Sequence, residues 1–109
     1  MANFIQDGCA IDYTPVGDLA AGAVVVQGDL VGIARTPISA NALGSLAVEG
    51  VFDFPKATGG STAIAAGALV YWDAGNQRAT TTASGNKLIG KVTRAAADAD
   101  ALVRVRMSQ

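Results

Sequence analysis

The chain has 109 residues, the size of one domain, with 13 glycines and a hydrophobic fraction of 50% that is rich in alanine, so we expect short strands and tight turns rather than long helices. Only 16% of the residues are charged and the net charge is −1, which gives no long-range field to recruit nucleic acid or anionic lipid. DNA binding and membrane-surface binding are therefore both disfavoured as the main activity.

Residues 1–8 are predicted to form an N-terminal arm, because Phe4 and Ile5 are apolar and Asp7-Gly8 is a turn signal. The sequence shows no basic region followed by an apolar core, and no uncharged apolar run reaches the roughly 18 residues of a membrane span. We therefore expect a protein that is made in the cytoplasm and does not enter a membrane. Cys9 is the only cysteine; it is either a small inert residue or a reactive thiol.

Three strands are predicted before residue 40. Ile11–Tyr13 is short and ends at a proline turn, Ala23–Gln27 is β-branched, and Leu30–Arg35 follows the turn Gly28-Asp29. The second and third of these strands are therefore expected to form a hairpin.

The central run Ser45–Lys56 reads as one strand, because apolar side chains recur at every second position. One face carries Phe52 and Phe54, two of the three phenylalanines of the chain, and we expect it to supply the thickest part of the core. Pro55 removes a hydrogen-bond donor and ends the run.

The second half of the chain contains four more predicted strands: Leu69–Trp72, Arg78–Thr82, Lys87–Thr93 and Ala101–Met107. A long loop over Lys56–Ala66 precedes them. Within the third of these strands, alternation places Leu88, Gly90 and Val92 on one side. About eight short strands with long loops thus make a single domain, residues 1–109, with the pattern of an all-β sandwich or barrel.

Alternation also supplies candidates for the core or for a subunit contact, namely Phe52, Phe54, Tyr71, Trp72, Val103 and Val105. Tyr71 and Trp72 must face opposite ways on a strand, so one is expected in the core and the other partly exposed. Arg104 and Arg106 share the other face of the last strand. They either bind phosphate, form a solvated face, or make salt bridges across an oligomer interface.

No constellation of catalytic residues is visible. Histidine is absent and the nine acidic residues are scattered among turns, which removes the usual general base and most zinc sites. Gly85–Lys91 matches the start of a phosphate-binding loop, but Val92 stands where Ser or Thr should hold magnesium, and an alternating strand runs through the motif. We therefore expect no catalysis, no metal and no cofactor.

Five ordered blocks of the chain resemble the capsid cement, or head-decoration, proteins of tailed phages and prophages. They are Gly50–Lys56, Val70–Asp73, Thr80–Asn86, Leu88–Gly90 and Val103–Arg106. The resemblance covers nearly the whole chain, and the order and spacing of the blocks are more specific than any single block. It implies a β-barrel or β-tulip domain that oligomerises on the outer face of an icosahedral head, binds the major capsid protein and reinforces the expanded shell.

The resemblance also implies a homo-oligomer on the virion capsid surface, a trimer before a dimer, made in the cytoplasm of a bacterial host. Proteins of this kind often use an N-terminal arm, which makes Asn3, Phe4, Ile5 and Gln6 candidates for capsid binding. These residues either add a strand to a sheet edge of the major capsid protein or start the domain's own sheet.

The competing function is that of a nucleic-acid-binding or recombination accessory protein, because members of this family are often labelled RecA- or RadA-like recombinases. Such a motor needs an intact phosphate-binding loop, a second acidic motif for magnesium and a much longer chain. The defective loop at Gly85–Lys91 is the only partial match in the sequence, so the structural capsid role is predicted instead.

Overall fold

The computed structural model describes residues 2–3 and 8–108 and shows two antiparallel β-sheets. Within those residues there are nine strands and no helix. The strands are β1 (Ala10–Tyr13), β2 (Val24–Gln27), β3 (Leu30–Ala34), β4 (Gly44–Ala47), β5 (Gly50–Pro55), β6 (Leu69–Asp73), β7 (Arg78–Thr80), β8 (Lys87–Arg94) and β9 (Leu102–Met107). The predicted all-β fold is confirmed, with one strand more than expected.

Each half of the chain builds one sheet. The four-stranded sheet has the order β1-β4-β3-β2, and the five-stranded sheet has the order β5-β9-β8-β6-β7. Val31 and Ile33 from the first sheet pack with Phe54, Trp72 and Val105 from the second in one buried cluster. The two open sheets therefore form a sandwich, one of the two architectures that the strand pattern predicted.

The prediction of a single strand over Ser45–Lys56 was wrong. β4 and β5 belong to different sheets, and the chain passes between them at Val48 and Glu49. The backbone nitrogen of Val48 donates to the carbonyl oxygen of Cys9 at 3.0 Å, and Gly50 has a φ of 125°, which residues with side chains rarely adopt. Apolar residues continue to alternate through Val48 and Glu49, so the period-2 pattern does not show where β4 ends and β5 begins.

The four-stranded sheet also buries a small cluster on its other side. Ala34, Ile38 and Leu46 form this cluster, and backbone hydrogen bonds between Leu19 and Ile38 hold the covering loops in place. A Cβ at Gly44 would lie 2.6 Å from the terminal methyl of Ile38, so the close packing of Ile38 requires glycine there.

Strand β8 contains an extra residue that the sequence did not reveal. Val70 pairs with Gly90, whereas Tyr71 pairs with Leu88, so Ile89 has no residue opposite it in β6 and forms a bulge. Leu88 consequently lies on the outer face of the sheet, lining a cleft there. The prediction that Leu88 shares a side with Gly90 was therefore wrong.

At Gly90 the backbone of β9 leaves no room for a side chain on β8. This residue is buried and pairs with Met107. A Cβ built on Gly90 would collide with the carbonyl oxygen of Arg106 and lie 2.9 Å from the nitrogen of Ser108. Backbone atoms cannot move aside as a flexible side chain can, so the pairing of the two strands requires glycine at this position.

We expect Gly90→Ala to separate β8 from β9 and to lower the melting temperature by roughly 10 °C or to leave the protein insoluble. Gly60→Ala is the matched control, because a Cβ at Gly60 meets nothing within 4 Å. Circular dichroism during heating measures both variants. Equal melting temperatures for the two variants would contradict the proposed role of Gly90.

Lys56, directly after β5, is a buried basic residue with an exposed fraction of 6%. Its ammonium group donates to the carbonyl oxygens of Ala57, Ala97 and Asp100 at 2.7, 3.1 and 2.9 Å. An ammonium group has three protons, so these three carbonyls satisfy it, while the hydroxyl of Thr62 lies at 3.5 Å. Lys56 thereby joins the loop after β5 to the loop before β9.

The carboxylate of Asp98 also joins these two loops. It accepts hydrogen bonds from the backbone nitrogens of Thr62 and Ala63 at 3.0 and 2.7 Å. The backbone carbonyl of Asp98 accepts from the nitrogen of Gly59 at 2.9 Å. The glycine-rich stretch that the sequence marked as a long loop is thus fixed by a buried ammonium group and a carboxylate.

Replacing Lys56 by methionine keeps the length of the side chain but leaves three carbonyl oxygens without their donor. We expect Lys56→Met to cost about 2–3 kcal/mol of unfolding free energy, measured by urea denaturation. Lys87→Met is the control, because the ion pair of Lys87 with Asp29 is exposed and such pairs contribute little. An unchanged denaturation midpoint for Lys56→Met would show that the buried ammonium group is not a stabilising link.

Candidate functional site

The outer face of the five-stranded sheet carries the side chains that point away from the core. On β9 the burial alternates at every residue: Val103, Val105 and Met107 are buried, whereas Arg104 and Arg106 are exposed. The predicted separation of an apolar and a basic side on this strand is confirmed. The outer face therefore carries two arginines on β9, between β5 and β8.

Neighbouring strands add more basic side chains beside these two. Lys91 on β8 lies opposite Arg106, and Arg94 lies opposite Arg104. Asp53 on β5 lies opposite Arg104 from the other side. We call these five residues, Asp53, Lys91, Arg94, Arg104 and Arg106, the basic face.

Asp53 and Arg104 form a two-point ion pair. The Nε and Nη2 atoms of Arg104 donate to the two carboxylate oxygens of Asp53 at 3.0 and 3.2 Å. This hydrogen bonding by Arg104 holds the pKa of Asp53 below its ordinary value, and Asp53 in turn raises the pKa of Arg104. Both side chains are about half exposed, so the pair orients Arg104 more than it stabilises the fold.

The other basic side chains of this face make no comparable contact, although Arg94 also attracts the Asp53 carboxylate at longer range. Within the part of the chain that the structure describes, Lys91, Arg94 and Arg106 form no ion pair. Four basic groups against one carboxylate give the face a net charge of +3, although the whole chain has a net charge of −1. The remainder of the chain therefore carries a net charge of −4, and the charge distribution is strongly asymmetric.

Exposed aliphatic side chains border the basic face. Val51, Leu69 and Leu102 are 55%, 47% and 53% exposed. Val51 lies opposite Arg106, and Leu69 lies opposite Lys91, so a continuous row crosses four strands with aliphatic groups at its ends and cations in its middle. A cleft of about 330 Å³ lies along this row. The face thus combines charge with apolar area.

The candidates for the core or a subunit contact lie mainly inside the sandwich. Phe54, Trp72, Val103 and Val105 have exposed fractions of 3% or less, and the rings of Phe54 and Trp72 are 6.0 Å apart. Phe52 and Tyr71 are half-buried. The first four side chains are thus part of the core, and Tyr71 presents one side to the outer face.

The predicted capsid-binding arm is described only at Asn3, which is exposed. Phe4, Ile5 and Gln6 lie outside the described residues. The described residues continue from Gly8, which lines a cleft of about 330 Å³ together with Ser108. Ser108 also lines the cleft beside Lys91 and Arg106. Gly8 therefore lies near the Ser108 end of β9, as do Lys91 and Arg106.

Sequence reasoning identified Arg104 and Arg106 but not Lys91 and Arg94. Lys91 alternates with Val92, so its outward direction was readable from the sequence. Arg94 was not, because the register between β8 and β9 shifts between Val92 and Arg94 and turns Arg94 to the same side as Lys91.

The described residues contain no group of three or more His, Cys, Asp or Glu side chains placed to hold a metal ion. The segment Gly85–Lys91, which matched part of a phosphate-binding loop, forms a turn and the start of β8. In residues 2–3 and 8–108 no helix is long and apolar enough to cross a membrane. The basic face itself offers charged hydrogen-bond donors and apolar contacts, which suit it to binding an acidic surface.

Comparison with known proteins assigns the chain to a family. No curated protein and no solved structure gives a significant match. The family model that describes phage cement proteins matches residues 5–107, which spans all nine strands of the described structure. The chain therefore belongs to the phage cement protein family.

Proposed function

We propose that this protein is a structural capsid decoration protein that binds the outer surface of the phage head and stabilises the shell, without catalysis. The match of residues 5–107 to the phage cement family carries this proposal. The low proportion of charged residues, 16%, supports it, since surfaces that become buried in contacts are depleted in charge.

Each copy acts by bridging neighbouring subunits of the major capsid protein. A bridge adds buried contact area across joints that the pressure of the packaged genome tends to open. A copy that is bound to one subunit meets the next at a high effective concentration, so weak individual contacts hold together strongly. The proposed role therefore needs at least two contact regions on each copy or an oligomer that supplies them.

The protein acts as a homo-oligomer, with a trimer as the first choice because it fits local threefold positions of the shell, and a dimer as the second. It is made in the cytoplasm of the bacterial host and ends on the virion surface. Its partner is the major capsid protein, and the arm residues Asn3, Phe4, Ile5 and Gln6 supply one contact by adding a strand to a sheet edge.

Co-sedimentation with heads tests the function. Purified protein is mixed with expanded heads that lack it, prepared from the phage or prophage that encodes it, and light scattering measures its mass before mixing. We expect stoichiometric binding to the heads and a mass three times that of the 10.9 kDa chain. A protein that stays in the supernatant at every concentration would rule out capsid decoration.

Deleting residues 1–7 tests the arm separately. These residues precede the first turn of the described structure, so we expect the truncated protein to keep its circular dichroism spectrum and melting temperature but to lose binding to heads. Replacing the same seven residues by a Gly/Ser segment of equal length is the control for chain length. Normal binding by the truncated protein would show that the arm is not a capsid contact.

A further inference from the structure

The basic face places like charges directly opposite each other. Lys91 and Arg106 are paired across β8 and β9, and so are Arg94 and Arg104. Side chains that face each other in this way lie about 5 Å apart at their Cβ atoms, and like charges there destabilise a sheet. Asp53 compensates Arg104, whereas Lys91 and Arg106 have no acidic partner among the described residues.

Such repulsion lowers the stability of the isolated protein, but it favours binding to an acidic partner. An incoming carboxylate between Lys91 and Arg106 would bind both cations and remove their repulsion. The aliphatic side chains of Val51 and Leu69, at the ends of the same row, would exclude water from the contact and strengthen its charge interactions. The row is therefore complementary to a partner with acidic groups.

A second copy of the chain does not fit this face well. Two basic faces in a symmetric contact would repel each other. A head-to-tail contact needs a compact acidic region on the same chain. The charge of −4 outside the face is spread over separate turns and strands.

Nucleic acid fits less well than an acidic protein surface. Proteins that bind single strands combine a basic groove with aromatic side chains on which bases stack. Around the basic face the exposed apolar groups are aliphatic, Val51, Leu69 and Leu102, and Tyr71, two residues after Leu69 on β6, is half-buried. Protein interfaces combine apolar contacts with arginine, whereas interfaces with DNA are more polar.

We propose that the basic face is a capsid contact that docks on an acidic region of the outer surface of the major capsid protein. The proposal rests on the function proposed above and specifies the chemistry of one contact. Gly8, the first described residue after the arm segment, shares a cleft with Ser108, which also lines the cleft beside Lys91 and Arg106. The binding then depends on ionic strength as well as on the arm.

Arg106→Glu tests this contact because it should change stability and binding in opposite directions. The new carboxylate lies opposite Lys91 and replaces repulsion by attraction, so we expect the melting temperature to rise by roughly 2–4 °C. Affinity for expanded heads, measured by co-sedimentation at low salt, should fall about tenfold or more. A substitution with only a structural effect would not raise the melting temperature while lowering the affinity for heads.

Arg35→Glu is the matched control. Arg35 is exposed at the end of β3, and the substitution makes the same change in net charge away from the basic face. We expect its affinity for heads to change less than twofold. Raising the salt concentration from about 50 to about 500 mM should weaken the wild type strongly and the Arg106→Glu variant much less.

Three results would overturn the proposal in different ways. Wild-type protein that ignores heads overturns both the capsid function and this contact. Wild-type binding that Arg106→Glu leaves unchanged overturns the contact alone and keeps the function. Salt-dependent self-association, or a shift of single-stranded DNA, that Arg106→Glu abolishes while head binding persists shows that the face serves another copy or a nucleic acid.

Discussion

The close approach of β9 to β8 at Gly90 is the constraint on which the five-stranded sheet depends. The carbonyl oxygen of Arg106 occupies the place of a side chain at residue 90, so only glycine lets the two backbones pair there. β9 is the hub of this half of the fold, since it lies between β5 and β8. Its register puts valines into the core and, by the same alternation, arginines onto the outer face. Packing and surface charge are thus fixed by one backbone contact.

The like charges on the outer face lower the stability of the fold. A sheet selected for stability alone would place Thr or acidic side chains beside Lys91 and Arg106, because like charges across strands repel. Natural proteins are rarely at their stability optimum, and functional sites are often less stable than they could be. The sandwich tolerates this repulsion because both sheets contribute buried side chains to one shared core. The core holds the sheets together even though the outer face carries like charges.

Much of this fold was readable from the sequence, because alternation and turn residues locate strands well. The hairpin of β2 and β3 and the two faces of β9 followed directly from period-2 patterns. The crossing at Val48 and Glu49 and the bulge at Ile89 did not, since each inserts a break that leaves the apolar pattern looking continuous. The burial of Lys56 was also hidden, because its acceptors come from loops distant in sequence. The alternation of β9 reveals Arg104 and Arg106, and that of β8 makes the outward direction of Lys91 readable, but the register shift after Val92 hides Arg94.

The oxygen atoms around Lys56 are backbone carbonyls rather than carboxylates. A carbonyl takes up no proton as the medium becomes acidic, and a buried contact is little screened by dissolved ions. The exposed pair of Asp29 and Lys87 behaves differently, since its contribution is lost as the pH falls through the lowered pKa of Asp29. The loops around Lys56 are also joined without a disulfide. The three carbonyl contacts of Lys56 therefore persist through changes in acidity, salt and redox state, whereas the charged surface around them responds to the first two.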